Sequence, residues 1–354
     1  MDLKKNRTVV TGGAGFIGSH LVDRLLGADN EVIVIDDFSC GSMKNLLHHQ
    51  GNPKLRVERA DILDEKAMME IHRGADVVFH LACRDVRLSL RQPTIVHEVN
   101  ATGTLNVLKA AAAAKVRRFL YCSSSEVNGA APDIAPLPED CHFRPETIYG
   151  ASKLVGEYYT QVFHRSGWLN TVIARPHNNY GPREHYLGVR GEAIPRFILW
   201  ALGGRPSVIY GDGKQTRDFT YVTETVDCMV RLVEREETKG RILNICRGEE
   251  TSIAQIAALI SELTGLNVPP VHLSGRPGDI LRLWGDTQRL CAALGSGPAI
   301  SIREGLEMTI DWFRRNITVS EELLNSIQIR NWEIVPEPWL DACEAGKEEP
   351  ASRS

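Results

Sequence analysis

Short apolar runs alternate, along the first half of the chain, with longer segments in which apolar positions recur every three to four residues. Val9-Val10-Thr11, Val32–Ile35, Leu55–Glu58, Val77–Ala82 and Phe119–Ser123 read as strands. The fourth is apolar almost throughout, as in a strand buried on both faces. Helical patterns lie between them. One runs from Ser19 through His20-Leu21-Val22-Asp23-Arg24-Leu25-Leu26, and one opens at Asp61-Ile62-Leu63-Asp64. A long one covers 94–114 and ends in the run Ala110–Ala114. Carboxylates in a first turn favour a helix start. The alternation predicts an α/β protein with a doubly wound parallel sheet and right-handed crossovers. Ligands of such sheets sit at the carboxyl ends of the strands. That rule gathers Gly12, Asp36, Leu81, Ala82, Ser124 and Glu126 around one crevice.

The texture changes after Pro176. Gly181-Pro182, Gly203-Gly204-Arg205-Pro206 and Gly211-Asp212-Gly213 break the chain into short elements. A larger domain over 1–175, built on that sheet, and a smaller lobe over 176–316 are expected, the lobe interleaved with core elements near 218–246. The chain then adds an extension, 317–354, whose polar end from Glu344 is expected to lack fixed structure. At 354 residues, 43% hydrophobic and 24% charged, the composition is that of a globular protein able to bury a large core. A net charge of -4 gives no reason to expect nucleic acid or a membrane surface. No run is long enough to span a bilayer, and Met1–Arg7 lacks the apolar core of a secretion signal. The eight cysteines include no Cys-x-x-Cys pair, so neither a metal site nor thioredoxin chemistry is expected. Reduced thiols in the cytoplasm are the expectation.

Two local patterns carry chemistry. Thr11-Gly-Gly-Ala-Gly-Phe-Ile-Gly18 stands between a strand and a helix, where the helix N-terminus can face a pyrophosphate. Gly12 serves the tight turn, Gly15 the close approach of phosphate, and Gly18 the packing of helix on strand. The next strand ends in Asp36, placed for an adenosine ribose. A carboxylate there repels a 2′-phosphate, which selects NAD over NADP. Gly18-Ser19-His20 lacks the Gly-Lys-Ser/Thr of a nucleoside triphosphatase loop. The second pattern is Tyr149 and Lys153, four residues apart and so on one helix face. An ammonium beside a phenol lowers the phenol's pKa, giving a base for a hydroxyl proton. Ser124, at a strand end, can hold the reacting oxygen.

Together with His80-Leu-Ala82 and Asn100, these residues resemble the extended short-chain dehydrogenase/reductase family. Arg175-Pro-His-Asn-Asn-Tyr-Gly-Pro182 and Thr216-Arg-Asp-Phe-Thr-Tyr-Val222 are similar to its nucleotide-sugar epimerase and dehydratase branch. The resemblance spans roughly 7 to 315. It implies a Rossmann-like domain holding NAD through Gly12, Gly15, Phe16, Ile17, Gly18, Asp36, Asp61, Ile62, Leu81, Ala82, Asn100, Tyr149, Lys153 and Pro176. It implies a nucleotide-diphosphate sugar bound by Asn178, Arg217, Arg276 and Asp279, and a homodimer built on helices 94–114 and 147–166. Forked guanidinium donors suit a diphosphate.

The strand end Ser123-Ser124-Ser125-Glu126 bears on which sugar chemistry follows. In this branch 4,6-dehydratases and some decarboxylases carry glutamate where Glu126 stands, and simple 4-epimerases a small residue. Once C4 is a ketone, a carboxylate can remove the acidified C5 proton and water can leave C6. The expectation is therefore an NDP-hexose 4,6-dehydratase with Ser124, Ser125, Glu126, Tyr149 and Lys153 as catalytic residues. Two departures count against it: Ser125 replaces the aspartate that many dehydratases use as acid, and Asn128 replaces a usual tyrosine. A 4-epimerase, a nucleotide-uronate decarboxylase and a dinucleotide-binding sensor without turnover are the alternatives.

Overall fold

The structure, a computed structural model, describes residues 2–129, 135–275 and 280–330. Strands β1 (Arg7–Thr11), β2 (Glu31–Asp36), β3 (Leu55–Arg59), β4 (Val77–His80), β5 (Arg118–Cys122) and β6 (Thr171–Pro176) form one sheet with a seventh strand, Ile242–Ile245. From edge to edge the order is Ile242–Ile245, β6, β5, β4, β1, β2, β3, and every pairing is parallel. The order reverses at β1, which pairs with β2 on one side and β4 on the other. A crevice opens at the carboxyl ends at such a switch point.

Alternate residues of each strand enter different cores. Val10, Val34, Phe79, Leu120 and Val172 pack with Leu21 and Leu25 of the helix Phe16–Gly27 and with Met229 and Val233 of the helix Val222–Glu234. Val9, Ile33, Val78, Phe119 and Ile173 pack with Met68 and with Val107 and Ala111 of the helix Thr104–Ala113. Both sheet faces are thus covered, which explains the nearly continuous apolar runs. A third core, around Tyr180, Phe197, Ile256, Ile310 and Phe313, belongs to elements that follow Pro176.

Differences from the expected elements fall beside the crevice. The strand expected over Val77–Ala82 ends at His80: Leu81 N–H makes the last ladder bond, to Thr11 O at 3.1 Å, and the N–H groups of Leu81 and Ala82 also reach Thr11 Oγ1, 3.2 Å each. The helix expected over 94–114 is three segments: Pro93–His97, a π turn Glu98–Gly103, and Thr104–Ala113. A π turn admits an extra residue, a distortion frequent at functional sites, and this one carries Asn100. The seven described cysteines are all free. No helix among the described residues is long and apolar enough to cross a membrane.

Candidate active site

A cleft of about 740 Å³ opens over the carboxyl ends of the strands. Gly12, Gly15, Phe16, Ile17 and Gly18 line one end of it with Asp36, Asp61, Ile62, Leu81 and Ala82. Gly12 has φ +71°, and a Cβ there would lie 2.8 Å from Ala82 N. A Cβ on Gly18 would lie 2.1 Å from Gly12 O. Only hydrogen fits at either place, so the helix N-terminus sits tight against the turn. Asp36 is buried. Its Oδ2 accepts from Ala14 N and its Oδ1 from Phe38 N, both at 2.9 Å. Burial raises its pKa and these two N–H donors pull it back. A carboxylate has about four acceptor positions, so Asp36 ties down the glycine loop and keeps capacity toward the cleft.

Asn100 is not on the cleft wall. It is buried, accepts from Arg84 N (2.7 Å), and donates to Arg84 O (3.1 Å) and Ser152 Oγ (3.0 Å). These bonds fasten the loop after β4 to the helix Ile148–Arg165. Its own carbonyl accepts from Thr104 Oγ1, which is bonded to His80 Nε2, and His80 Nδ1 is bonded to Thr11 Oγ1 at 2.7 Å. This chain of short polar contacts crosses β4 and β1 directly beneath the glycine turn.

The reacting end lies where β5 stops. Ser124 is extended and caps the short turn Ser125–Val127, its Oγ accepting from Glu126 N at 3.2 Å. Tyr149 hydrogen-bonds Ser124, and Lys153 donates to the carbonyl of Cys122 with its ammonium 4.6 Å from the centre of the Tyr121 ring. The helix is set by its inner stripe: four residues beyond Lys153, Glu157 accepts from Ser123 Oγ (2.6 Å) and takes both Arg175 Nε (2.6 Å) and Nη2 (2.7 Å). Arg175 and Glu157 are fully buried, so neither can lose the other without leaving a bare charge in the core.

The expected lowering of the Tyr149 pKa is reversed. The side chain keeps some exposed surface, but its phenol is recessed in the cleft. Burial and the nearby Cys83 thiol raise it further than the Lys153 ammonium and the Ser124 hydrogen bond lower it. Tyr149 is therefore a protonated phenol in this state of the site. Lys153 stays an ammonium: burial works against the charge, and the acidic groups of Tyr121, Cys83, Tyr149 and Cys122 hold it above its ordinary value.

Glu126 and Ser125 both line the cleft with Ser124. Ser125 is buried and Glu126 partly exposed. Asn128 points away, buried and donating to Cys141 Sγ at 2.9 Å. On the far wall Pro176, Asn178 and Arg217 line the same cleft. Asn178 Oδ1 is buried with no partner. Arg217 donates to the carbonyls of Thr216 (2.8 Å) and Ile280 (2.6 Å). Arg276 and Asp279 lie outside the described residues.

A model of the NAD dependent epimerase/dehydratase family matches residues 8–246. The chain belongs to this family. It is 34% identical over 310 residues to the UDP-glucose 4-epimerase of Mycolicibacterium smegmatis, covering 87% of this chain and 98% of that one. It is 34% identical over 330 residues to the UDP-N-acetyl-alpha-D-glucosaminuronate decarboxylase of Bacillus cytotoxicus, covering 88% and 98%. Its fold superposes with a TM-score of 0.82 on the dTDP-glucose 4,6-dehydratase of Streptomyces venezuelae solved with NAD bound, at 31% identity over 90% of this chain and 99% of that one. The three relatives run three different reactions.

The cradle fits the family's cofactor, NAD: Gly12 and Gly18 leave the space a Cβ would fill, and Asp36 faces the end where an adenosine ribose belongs. Several cleft residues of this family enzyme were not anticipated. Arg84 pairs with Asp37 at 2.7 Å, Arg87 forms a fork on Glu192 at 2.5 and 2.7 Å, and Arg190 reaches Asp85 at 3.1 Å and Ser39 O at 2.7 Å. Glu184 is buried beside Glu192, and burial first, then that like charge, lifts its carboxyl well above the usual range. Cys83-Arg-Asp-Val-Arg87 follows a strand end and is dense in charge, which was the available signal.

Proposed function

We propose that this family member oxidises C4 of a nucleotide-diphosphate hexose and eliminates water across C5 and C6, as an NDP-hexose 4,6-dehydratase. Bound NAD supplies the hydride acceptor and donor within one turnover. Ser124 holds the C4 oxygen, and Tyr149, a phenol recessed in the cleft, takes its proton in the phenolate form, which the Lys153 ammonium and the positive charge of bound NAD would favour against burial. Lys153 carries the positive charge nearest that phenol. The C4 ketone acidifies C5; Glu126 accepts the C5 proton and, as the carboxylic acid so formed, passes a proton to the C6 hydroxyl, which departs as water. Ser125 is the neighbouring hydroxyl for that departure. Asn178 and Arg217 bind the diphosphate. The observation that carries this reading is Glu126, which lines the same cleft as Ser124 and Tyr149, two residues beyond the serine.

A 4-epimerase is the second reading, supported by the 34% identity to the mycobacterial enzyme. There C5 is never touched. Turnover of a panel of nucleotide hexoses and uronates in heavy water separates the readings. A dehydratase product is lighter by one water and carries deuterium at C5, and Glu126→Gln blocks both changes while the protein stays folded. An unchanged mass, no C5 deuterium and a Glu126→Gln variant of normal rate would establish the epimerase instead. Loss of carbon dioxide from a uronate would mark a decarboxylase, and no change in any sugar would mark a sensor.

We also infer a homodimer built on the helices of 93–113 and Ile148–Arg165. Its support is the pair Tyr158 and Val162, 49% and 42% exposed and four residues apart on one face, with Ile95 also exposed.

A further inference from the structure

Away from the cleft, two consecutive histidines aim at one oxygen. His48 Nε2 and His49 Nε2 each lie 2.8 Å from Asp23 Oδ1. Asp23 stands on the helix Phe16–Gly27, and the histidines end the 3₁₀ segment Met43–His49. One ligand atom from each residue falls within 4.8 Å of the others. Asp23 and His49 are recessed, and His48, 46% exposed, leaves one side open to solvent. None of the three lines the cleft, so the proposed reaction leaves them without a task.

Two imidazole nitrogens and a carboxylate oxygen are the donor set of a zinc-class ion. Bond lengths of about 2.0–2.2 Å place tetrahedral ligand atoms about 3.3 Å apart. The two nitrogen–oxygen contacts need to open by about half an ångström, and the two nitrogens already lie within 4.8 Å of each other. The carboxylate is already oriented from behind, because Asp23 Oδ2 accepts from Arg183 Nη2 at 2.7 Å. Such an outer partner fixes a ligating oxygen. Arg183 itself holds φ +67°, an uncommon conformation for a side-chain-bearing residue. Its charge opposes a cation, but the guanidinium sits on the opposite oxygen. His20, close by, adds no further positive charge at neutral pH: its Nε2 is committed to Pro182 O at 2.9 Å, and burial, then the field of Arg183, lowers its pKa to about 4.

We propose that Asp23, His48 and His49 bind one divalent transition-metal ion of the zinc class, with the fourth position open to water. The ion would join the helix that carries the glycine loop to the segment Met43–His49. Through the Asp23–Arg183 pair it would also reach the turn at Pro182–Arg183.

Titrating the metal-free holoenzyme with Co²⁺ tests this. The expected result is one saturable equivalent with the visible absorption of a four-coordinate nitrogen and oxygen site, displaced by Zn²⁺. His48→Gln and His49→Gln should each weaken Co²⁺ binding by at least about tenfold, the minimum that loss of even an outer partner costs. Both variants should keep their fold by circular dichroism and their basal turnover. Undiminished binding in the double variant would overturn the proposal. So would a cobalt–thiolate charge-transfer band, which would assign the ion to a cysteine, or the absence of any saturable equivalent.

Discussion

His72 follows the helix Glu65–Ile71 with none of its surface exposed. Its Nδ1–H donates to Met68 O at 2.8 Å and its Nε2 is buried without a partner. Burial lowers its pKa from 6.5 to about 4. Above pH 6.5 both folded and unfolded chains keep this ring neutral. As pH falls from 6.5 toward 4, the unfolded chain binds a proton that the folded chain refuses, so stability is lost. One group contributes up to about 1.4 kcal/mol per pH unit in that window. His72→Gln removes that contribution. Chemical unfolding from pH 8 to 4 should show parallel curves above pH 6.5 and a steeper fall for the wild type below it. Parallel curves throughout would put the proton uptake elsewhere. Tyr149 has its own single-residue test. Neither the Ser124 cap on Glu126 N nor the Lys153 bond to Cys122 O passes through its phenol. Tyr149→Phe should therefore keep the fold and NAD binding while turnover drops by roughly two to four decades. Near-normal single-turnover rates would give the proton to another acceptor. The direction of the Tyr149 shift could not be read from the spacing to Lys153, because the depth of a phenol in a cleft is set by the packing of distant segments.

Among the elements, the helix Phe16–Gly27 offers two glycines with opposite surroundings. A Cβ at Gly18 meets Gly12 O at 2.1 Å, whereas a Cβ at Gly27 meets nothing within 4 Å. Gly18→Ala must push the helix off the turn, a strain of about 1–3 kcal/mol, and it widens the pyrophosphate seat. Gly27→Ala, the same chemical change at the helix end, should be neutral or stabilising by up to about 1 kcal/mol. Denaturant midpoints with NAD titration of both variants check the pair, and equal NAD affinity in the two would remove Gly18 from the cofactor seat. This contrast also marks what was legible beforehand. The glycine turn, Asp36, and the Tyr149–Lys153 spacing are local, and the sequence shows them in full. The fork between Arg87 and Glu192 joins residues 105 apart, and no local pattern announces it. The π turn was hidden for a related reason: the periodicity of 94–114 fits an ordinary helix, and the extra residue is stabilised by bonds from Asn100 to Arg84 and Ser152.

For the molecule as a whole, the parallel sheet was predictable because strands covered on both faces leave unbroken apolar runs. The place of Ile242–Ile245 beside β6 was not, since the chain reaches it only after building much of the third core. What remains exposed is equally informative. On the helix Ile148–Arg165 the inner stripe Tyr149, Lys153 and Glu157 is spent on the site and its support. The stripe Ala151, Val155, Tyr158 and Val162 runs down the other side at spacings of four, three and four, half-buried at its first two positions and exposed at its last two. An apolar stripe with that spacing on an outer helix fits a mating helix. In the proposed homodimer a two-fold copy would supply one, since a self-complementary patch closes a dimer. The wild type should sediment as two chains. Tyr158→Glu with Val162→Lys should sediment as one, and it should still bind NAD, because Lys153 and Tyr149 face away from the altered stripe. A monomeric wild type, or a double variant that remains dimeric, would move the interface off this helix.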